Sequence, residues 1–137
     1  MIIKQLSVFL ENKAGRLTEL TGILGRAGIN MTALSIADTS EFGIIRTVVS
    51  DPEKALQILK EHNFSVSLTD VVCLTTPNKP GALARALEIL SVEGISIEYM
   101  YAFSIVEEAF IIMKTEDINR TIQVLKENDM HLMKAAE

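Results

Sequence analysis

The sequence repeats itself. Shifted by 66 positions, its first half lies on its second half without a gap. Asn12, Lys13, Gly15 and Leu17 fall on Asn78, Lys79, Gly81 and Leu83. Ile23, Leu24, Gly28 and Ile29 fall on Ile89, Leu90, Gly94 and Ile95, and Asp51 falls on Asp117. Leu59, Lys60 and Glu61 fall on Leu125, Lys126 and Glu127. One offset held from Asn12 to Glu61 marks an internal duplication. It divides the 137 residues into two units, 1–68 and 69–137. No Pro-, Gly- or Ser-rich linker separates them, so tight coupling of the units is expected.

Each unit reads as strand, helix, strand, strand, helix, strand. Ile2, Leu6, Val8 and Leu10 share one side of an extended segment 2–10, the period of a strand. Leu17, Leu20, Leu24 and Ala27 recur at helical spacing with Ile23 beside them, and Gly28 supplies the left-handed residue that stops a helix. Segment 29–37 is extended, turns over Asp38–Glu41 and leads into a β-branched strand, Ile44–Val49. Asp51-Pro52 starts a second helix: Asp can cap it and Pro suits its first turn. That helix buries Ala55, Ile58 and Leu59, and residues 64–69 return as a strand.

The second unit repeats the plan. Strand 70–76 precedes a helix with Leu83, Ala86, Leu87 and Leu90. Strands 95–104 and 108–115, a helix with Ile118, Ile122 and Leu125, and a short strand near 130–134 follow. The order βαββαβ is the ferredoxin-like plan of the α+β class, with helices on one face of an antiparallel sheet. Ile95, Ile97, Tyr99, Tyr101 and Phe103 share one strand face, and strand 109–113 is apolar on both faces. A sheet with helices on one side leaves such a surface open, so cover by another subunit, as in a homodimer, is expected.

Composition narrows the function classes. Hydrophobic residues make up 48% of the chain, enough for a core. The net charge is 13 − 18 = −5, where a phosphate-tracking surface needs a basic excess, so nucleic acid is not an expected partner. Cys73 is the single cysteine, which rules out a disulfide within the chain and a cysteine metal cage. Between Val71, Val72 and Leu74 it reads as a buried strand thiol. No apolar run nears the roughly 18 residues of a membrane helix. The start, MIIKQLSVFL, lacks the basic region, apolar core and cleavage site of a signal peptide, so a cytoplasmic protein is expected.

The duplicated loop, N-K-x-G-x-L, stands between a strand end and a helix start. The first turn of a helix offers unpaired N–H donors and a partial positive charge, a ready site for a carboxylate or phosphate. Gly15 or Gly81 lets the backbone come close to a ligand. Asn12 or Asn78 brings a donor and an acceptor, and Lys13 or Lys79 adds charge. Leu17 and Leu83 are expected to anchor the helix in the core. A plain helix cap with a glycine turn would read the same way.

The run N-K-P-G-A-L at 78–83, followed by a helix and by G-I-S-I at 94–97, resembles the ACT-domain pattern. So does N-K-A-G-R-L at 12–17 followed by G-I-N-M at 28–31. The resemblance covers both units, and no catalytic domain accompanies them. It implies a stand-alone, non-catalytic regulatory protein that binds an amino acid and acts on a metabolic enzyme. It further implies two sheets joined through their second strands into one of eight strands, with four helices on one face. The ligand would sit at the junction. One site would use Asn12, Lys13, Ala14, Gly15, Arg16 and Leu17 with Ser96 and Ile97. The other would use Asn78, Lys79, Pro80, Gly81, Ala82 and Leu83 with Asn30 and Met31. Backbone N–H groups would hold the α-carboxylate, and oxygens including those of Asn12 or Asn78 the α-amino group. The chain departs from the pattern where Asn12 and Asn78 replace a frequent Asp, Ala14 a Pro and Ser96 an Asn, so the two sites need not be equivalent. The alternative function is a dimerising regulatory subunit with vestigial pockets.

Other features carry no chemistry. His62 and His131 lack further metal ligands at suitable spacing and read as cap or surface residues; no metal or cofactor is expected. Gly22, Gly25 and Gly28 do not form the dinucleotide fingerprint, since the first two fall inside a helix. Glu107-Glu108 reads as solvated charge in a strand turn, and no nucleophile has a base beside it.

Overall fold

A computed structural model describes residues 1–11, 13–38 and 42–134. Among them are four helices and seven strands in two compact units, Lys4–Thr69 and Asp70–Glu137 with Met1–Ile3. The first unit contains β1 (Ile3–Glu11), α1 (Arg16–Arg26), β2 (Met31–Asp38), β3 (Phe42–Val49), α2 (Pro52–Glu61) and the start of β4 (Ser65–Pro77). The second contains the rest of β4, then α3 (Ala82–Val92), β5 (Ile97–Ile105), β6 (Glu108–Thr115), α4 (Ile118–Glu127) and β7 (His131–Leu132). The α+β class and the βαββαβ order stand as expected. The strand count of eight does not. With no Gly or Pro between Leu68 and Thr76, the last strand of one repeat and the first of the next form a single strand, β4.

In the first unit the strand order is β4-β1-β3-β2, and in the second β7-β4-β6-β5. β2 pairs antiparallel with β3, as Ile36 opposite Ile45, and β5 with β6, as Ala102 opposite Ile111. Both pairings therefore share one register at the 66-residue offset. Alternation along β1 sends Leu6, Val8 and Leu10 to a core with Leu20, Ile23 and Leu24 of α1 and Ala55 and Leu59 of α2. The second core repeats it with Val72, Leu74, Ala86, Leu90, Val124 and Leu125.

The helix boundaries are also copied. Gly28 (φ +74) and Gly94 (φ +70) take the left-handed conformation, and Ile29 and Ile95 donate back to the carbonyls of Leu24 and Leu90 at 2.9 and 3.0 Å. Asp51 caps α2 by accepting from the Lys54 N–H at 3.2 Å, and Asp117 caps α4 by accepting from the Arg120 N–H at 3.1 Å. Lys54 Nζ and Arg120 Nη1 then donate to the carbonyls of Ala27 and Glu93, at the C-terminal ends of α1 and α3.

The expected need for a second subunit over the apolar sheet face is only partly met. Ile112 (2% exposed) and Cys73 (4%) lie opposite the helix-covered positions of their strands and are already buried within one chain. Cys73 Sγ donates to Met133 Sδ at 3.6 Å. Phe103 and Ile105 of β5 remain exposed. No helix among the described residues is long and apolar enough to cross a membrane.

Candidate functional site

In both repeats the loop after the first strand folds in the same way. The Lys13 N–H donates to the Glu11 carbonyl at 2.8 Å, Arg16 N–H to Lys13 at 3.3 Å, and Glu19 N–H to Gly15 at 2.9 Å. Sixty-six residues on, Lys79 donates to Pro77, Ala82 to Lys79 and Arg85 to Gly81, at 3.0, 3.2 and 3.0 Å. Gly15 (φ +91) and Gly81 (φ +87) are the N-caps of α1 and α3, in a conformation that glycine adopts without a steric cost. Neither can cap with a side chain. This helix start in each unit thus has no side-chain cap, in contrast with the Asp-capped one, and its first N–H donates to the loop carbonyl of Lys13 or Lys79.

Each loop borders a cleft within its own unit. The first, about 160 Å³, is lined by Leu10, Glu11, Lys13 and Leu17 and closed from the neighbouring strands by Ile36, Gly43 and Ile45. The second, about 280 Å³, is lined by Thr76, Pro77, Lys79 and Leu83 with Ala102, Ala109 and Ile111. Asn78, Phe103 and Ser104 extend it. Every lining position of the first cleft plus 66 is a lining position of the second, so the cleft was duplicated along with the fold.

Of the residues the sequence pointed to, the structure brings Lys13 and Leu17 to the first cleft and Asn78, Lys79 and Leu83 to the second. Leu17 is 40% exposed and lines the cleft, a correction to its expected place in the core: the first turn of α1 faces the open cleft there. Leu83 is half-buried and does pack against the second core. Ala14, Gly15, Pro80, Gly81 and Ala82 shape the turn beside the clefts. Arg16 is engaged elsewhere: it meets Glu19 Oε2 at 2.8 Å and stacks 4.4 Å over the Phe64 ring. Asn12 lies outside the described residues.

Asn30 and Met31 open β2, and Ser96 and Ile97 stand at the start of β5. Asn30 exchanges two hydrogen bonds with Ser50, both at 2.9 Å, while Met31 and Ile97 pack against their own cores. Within each unit these strand starts are not cleft residues; Ile36 and Ala102–Ser104, further along the same strands, are. Sequence reading missed those positions. The repeat offset converts either set of lining residues into the other, but only the sheet register brings one of them to the loop.

Asn78 is held more firmly than a loop side chain needs to be. Its backbone N–H donates to the Glu107 carbonyl at 2.7 Å and its Nδ2 to the Val106 carbonyl at 3.0 Å. Val106 has φ +53, a left-handed conformation costly for a β-branched residue. The β5–β6 turn, expected to carry only solvated charge, is thereby tied to the loop.

The rims of the clefts differ in detail. Lys13 Nζ pairs with Glu11 Oε2 at 3.1 Å. The position equivalent to Glu11 is Pro77, and the carboxylate of this rim belongs to Glu108, opposite Pro77 on β6. Burial pushes the Cys73 thiol up to about 11, against a smaller lowering by a backbone hydrogen bond at Ile111. His62 Nδ1 donates to the Ile58 carbonyl at 2.9 Å, closing α2 as a cap. Among the described residues no three His, Cys, Asp or Glu side chains come together as a metal site.

The family model of the ACT domain pair matches residues 1–137. A crystal structure of a protein from Bacteroides thetaiotaomicron is 49% identical with a TM-score of 0.97, covering 99% of this chain and 94% of that one. The ligand-free regulatory subunit of aspartate kinase from Thermus thermophilus is 14% identical with a TM-score of 0.69, over 92% and 93% of the two chains. The aspartate kinase of Clostridium acetobutylicum is 13% identical with a TM-score of 0.57, over 92% of this chain but 33% of that enzyme. At these identities the two kinase proteins show a common fold. No curated protein matches the sequence.

Proposed function

We propose, for a chain that belongs to the ACT domain pair family, that it is a non-catalytic regulatory protein whose duplicated loops bind a free amino acid. The observation that carries the reading is the pairing, in both repeats, of an uncapped helix start with a cleft at the same loop. The first-turn N–H groups beside Gly15 and Gly81 take the α-carboxylate, and Lys13 and Lys79 add positive potential. The Asn78 carboxamide, positioned by Val106, presents its oxygen to the α-amino group. Asn30, Met31, Ser96 and Ile97 belong to the proposal as the second-strand side of a site completed by a further module.

The output is a population shift: a ligand that binds one arrangement of modules better favours that arrangement. A metabolic enzyme is the proposed reader, and a cytoplasmic homodimer the proposed form. A protein of this fold serves as the regulatory subunit of aspartate kinase in Thermus thermophilus. The test is the melting temperature of the full chain with each standard amino acid in turn. A rise with a subset of them supports the reading, since a ligand selective for the folded state stabilises it. A flat panel, with calorimetry also silent, overturns it.

A further inference from the structure

The two clefts are copies, yet two substitutions between them act in one direction. Ile36 stands on β2 opposite Ile45 and projects into the first cleft; the equivalent residue on β5, opposite Ile111, is Ala102. The longer branched side chain fills space that the second cleft leaves open. Leu10 is replaced by the smaller Thr76, and the two clefts measure about 160 and 280 Å³. Only Gly43 to Ala109 runs the other way, by one methyl group. The rims differ too: Glu11 pairs with Lys13 at 3.1 Å, while Lys79 stands at a rim where Pro77 takes the place of Glu11 and Glu108 lies opposite Pro77 on β6. Around Lys79 the wall is apolar: Leu83, Ala102 and Ile111. Phe103 borders the cleft from the next position of β5, and its ring stacks on that of its cross-strand partner Phe110, with centroids 5.1 Å apart.

Lys79 at the rim above an apolar, roomier floor fits a carboxylate that carries a sizeable apolar group. We propose that the second cleft selects an amino acid with a large apolar side chain, of leucine size or above. Ala102 is then the residue that admits that side chain, and Ile36 the residue that bars it from the first cleft. The proposal rests on the amino-acid reading above and adds to it the ligand class and the determinant of specificity. Filling an apolar subsite by a few carbons shifts discrimination by about tenfold or more.

The test is calorimetric titration of the full chain, as wild type, Ala102→Ile and Ile36→Ala, with L-leucine, glycine and 4-methylpentanoate, which has the same apolar group and carboxylate but no amino group. Ala102 lies exposed on an edge strand, and thermal melting checks that each variant folds. The expected result is leucine binding weakened about tenfold or more by Ala102→Ile, and a second leucine site gained in Ile36→Ala. If leucine binds with equal affinity to wild type and Ala102→Ile, the size assignment is overturned while the amino-acid reading stands. If 4-methylpentanoate binds in an Ala102-dependent way and no amino acid binds, the cleft assignment stands and the amino-acid reading falls. Silence from every compound overturns the size assignment, while the amino-acid reading falls only with a flat panel of all the standard amino acids.

Discussion

Asn78 Nδ2 donates to the carbonyl of Val106 at 3.0 Å, and this bond joins the loop before α3 to a strained hairpin turn. A β-branched residue at positive φ costs on the order of 1–3 kcal/mol and persists only where its surroundings hold it. Val106→Gly is expected to raise stability by about 1 kcal/mol, because glycine takes that conformation without strain. Asn78→Ala is expected to lower it by about 1 kcal/mol through the lost hydrogen bond. Denaturant titration of both variants and of the double variant measures the coupling. Strict additivity would mean that the bond does not help hold the turn.

The N-caps give a matched pair of predictions. Asp51→Ala and Asp117→Ala remove equivalent hydrogen bonds to Lys54 and Arg120, and each is expected to cost about 1 kcal/mol. Denaturant midpoints check this. A cost at one position only would show that the duplicated caps have diverged in energy though not in geometry.

The organisation of each unit was legible because its signals are local. Gly28 and Gly94 stop helices by backbone conformation, and Asp51 and Asp117 start them by side-chain geometry; both can be read from residue type and spacing. The clefts were legible on one side only. Lys13, Leu17, Asn78, Lys79 and Leu83 are neighbours in sequence, whereas Ile36 and Ala102 reach them across a sheet whose register no local pattern states. Leu17 was misplaced for a related reason: helical spacing puts it on the apolar stripe, but does not show that the stripe's first turn borders an open cleft. The eighth strand vanished because the boundary between repeats carries no breaker. The burial of Ile112 within one chain could not be read from an alternating pattern, which tells the faces of a strand apart but not what covers them.

The glycine N-caps tie stability to binding. Substitution of Gly15 or Gly81 by Ala meets open space, so its cost comes from backbone conformation and is expected to be about 1 kcal/mol. The same change shifts the first-turn donors, so ligand affinity is expected to fall more than stability does. Melting with and without ligand separates the two. A loss confined to the unliganded protein would assign these glycines to folding alone.

Cys73 makes a pH-dependent contribution. Its folded pKa is raised from 9.0 to about 11, so its neutral thiol is favoured by the fold. That contribution is complete below pH 9 and is lost as pH rises through 11. Unfolding free energy is therefore expected to decline between pH 9 and 11, and less steeply in Cys73→Val. Alkylation of the native thiol at pH 8 should be slow. Rapid labelling without unfolding would contradict its burial.

The central claim is that an amino acid binds at the duplicated loops. The most direct measurement is calorimetric titration of the amino acid that most raises the melting temperature into wild type, Gly15→Val and Gly81→Val. The account predicts saturable binding to the wild type and a fall in affinity or site number in each variant, larger for Gly81→Val when the ligand is apolar. Undiminished binding to both folded variants would contradict it.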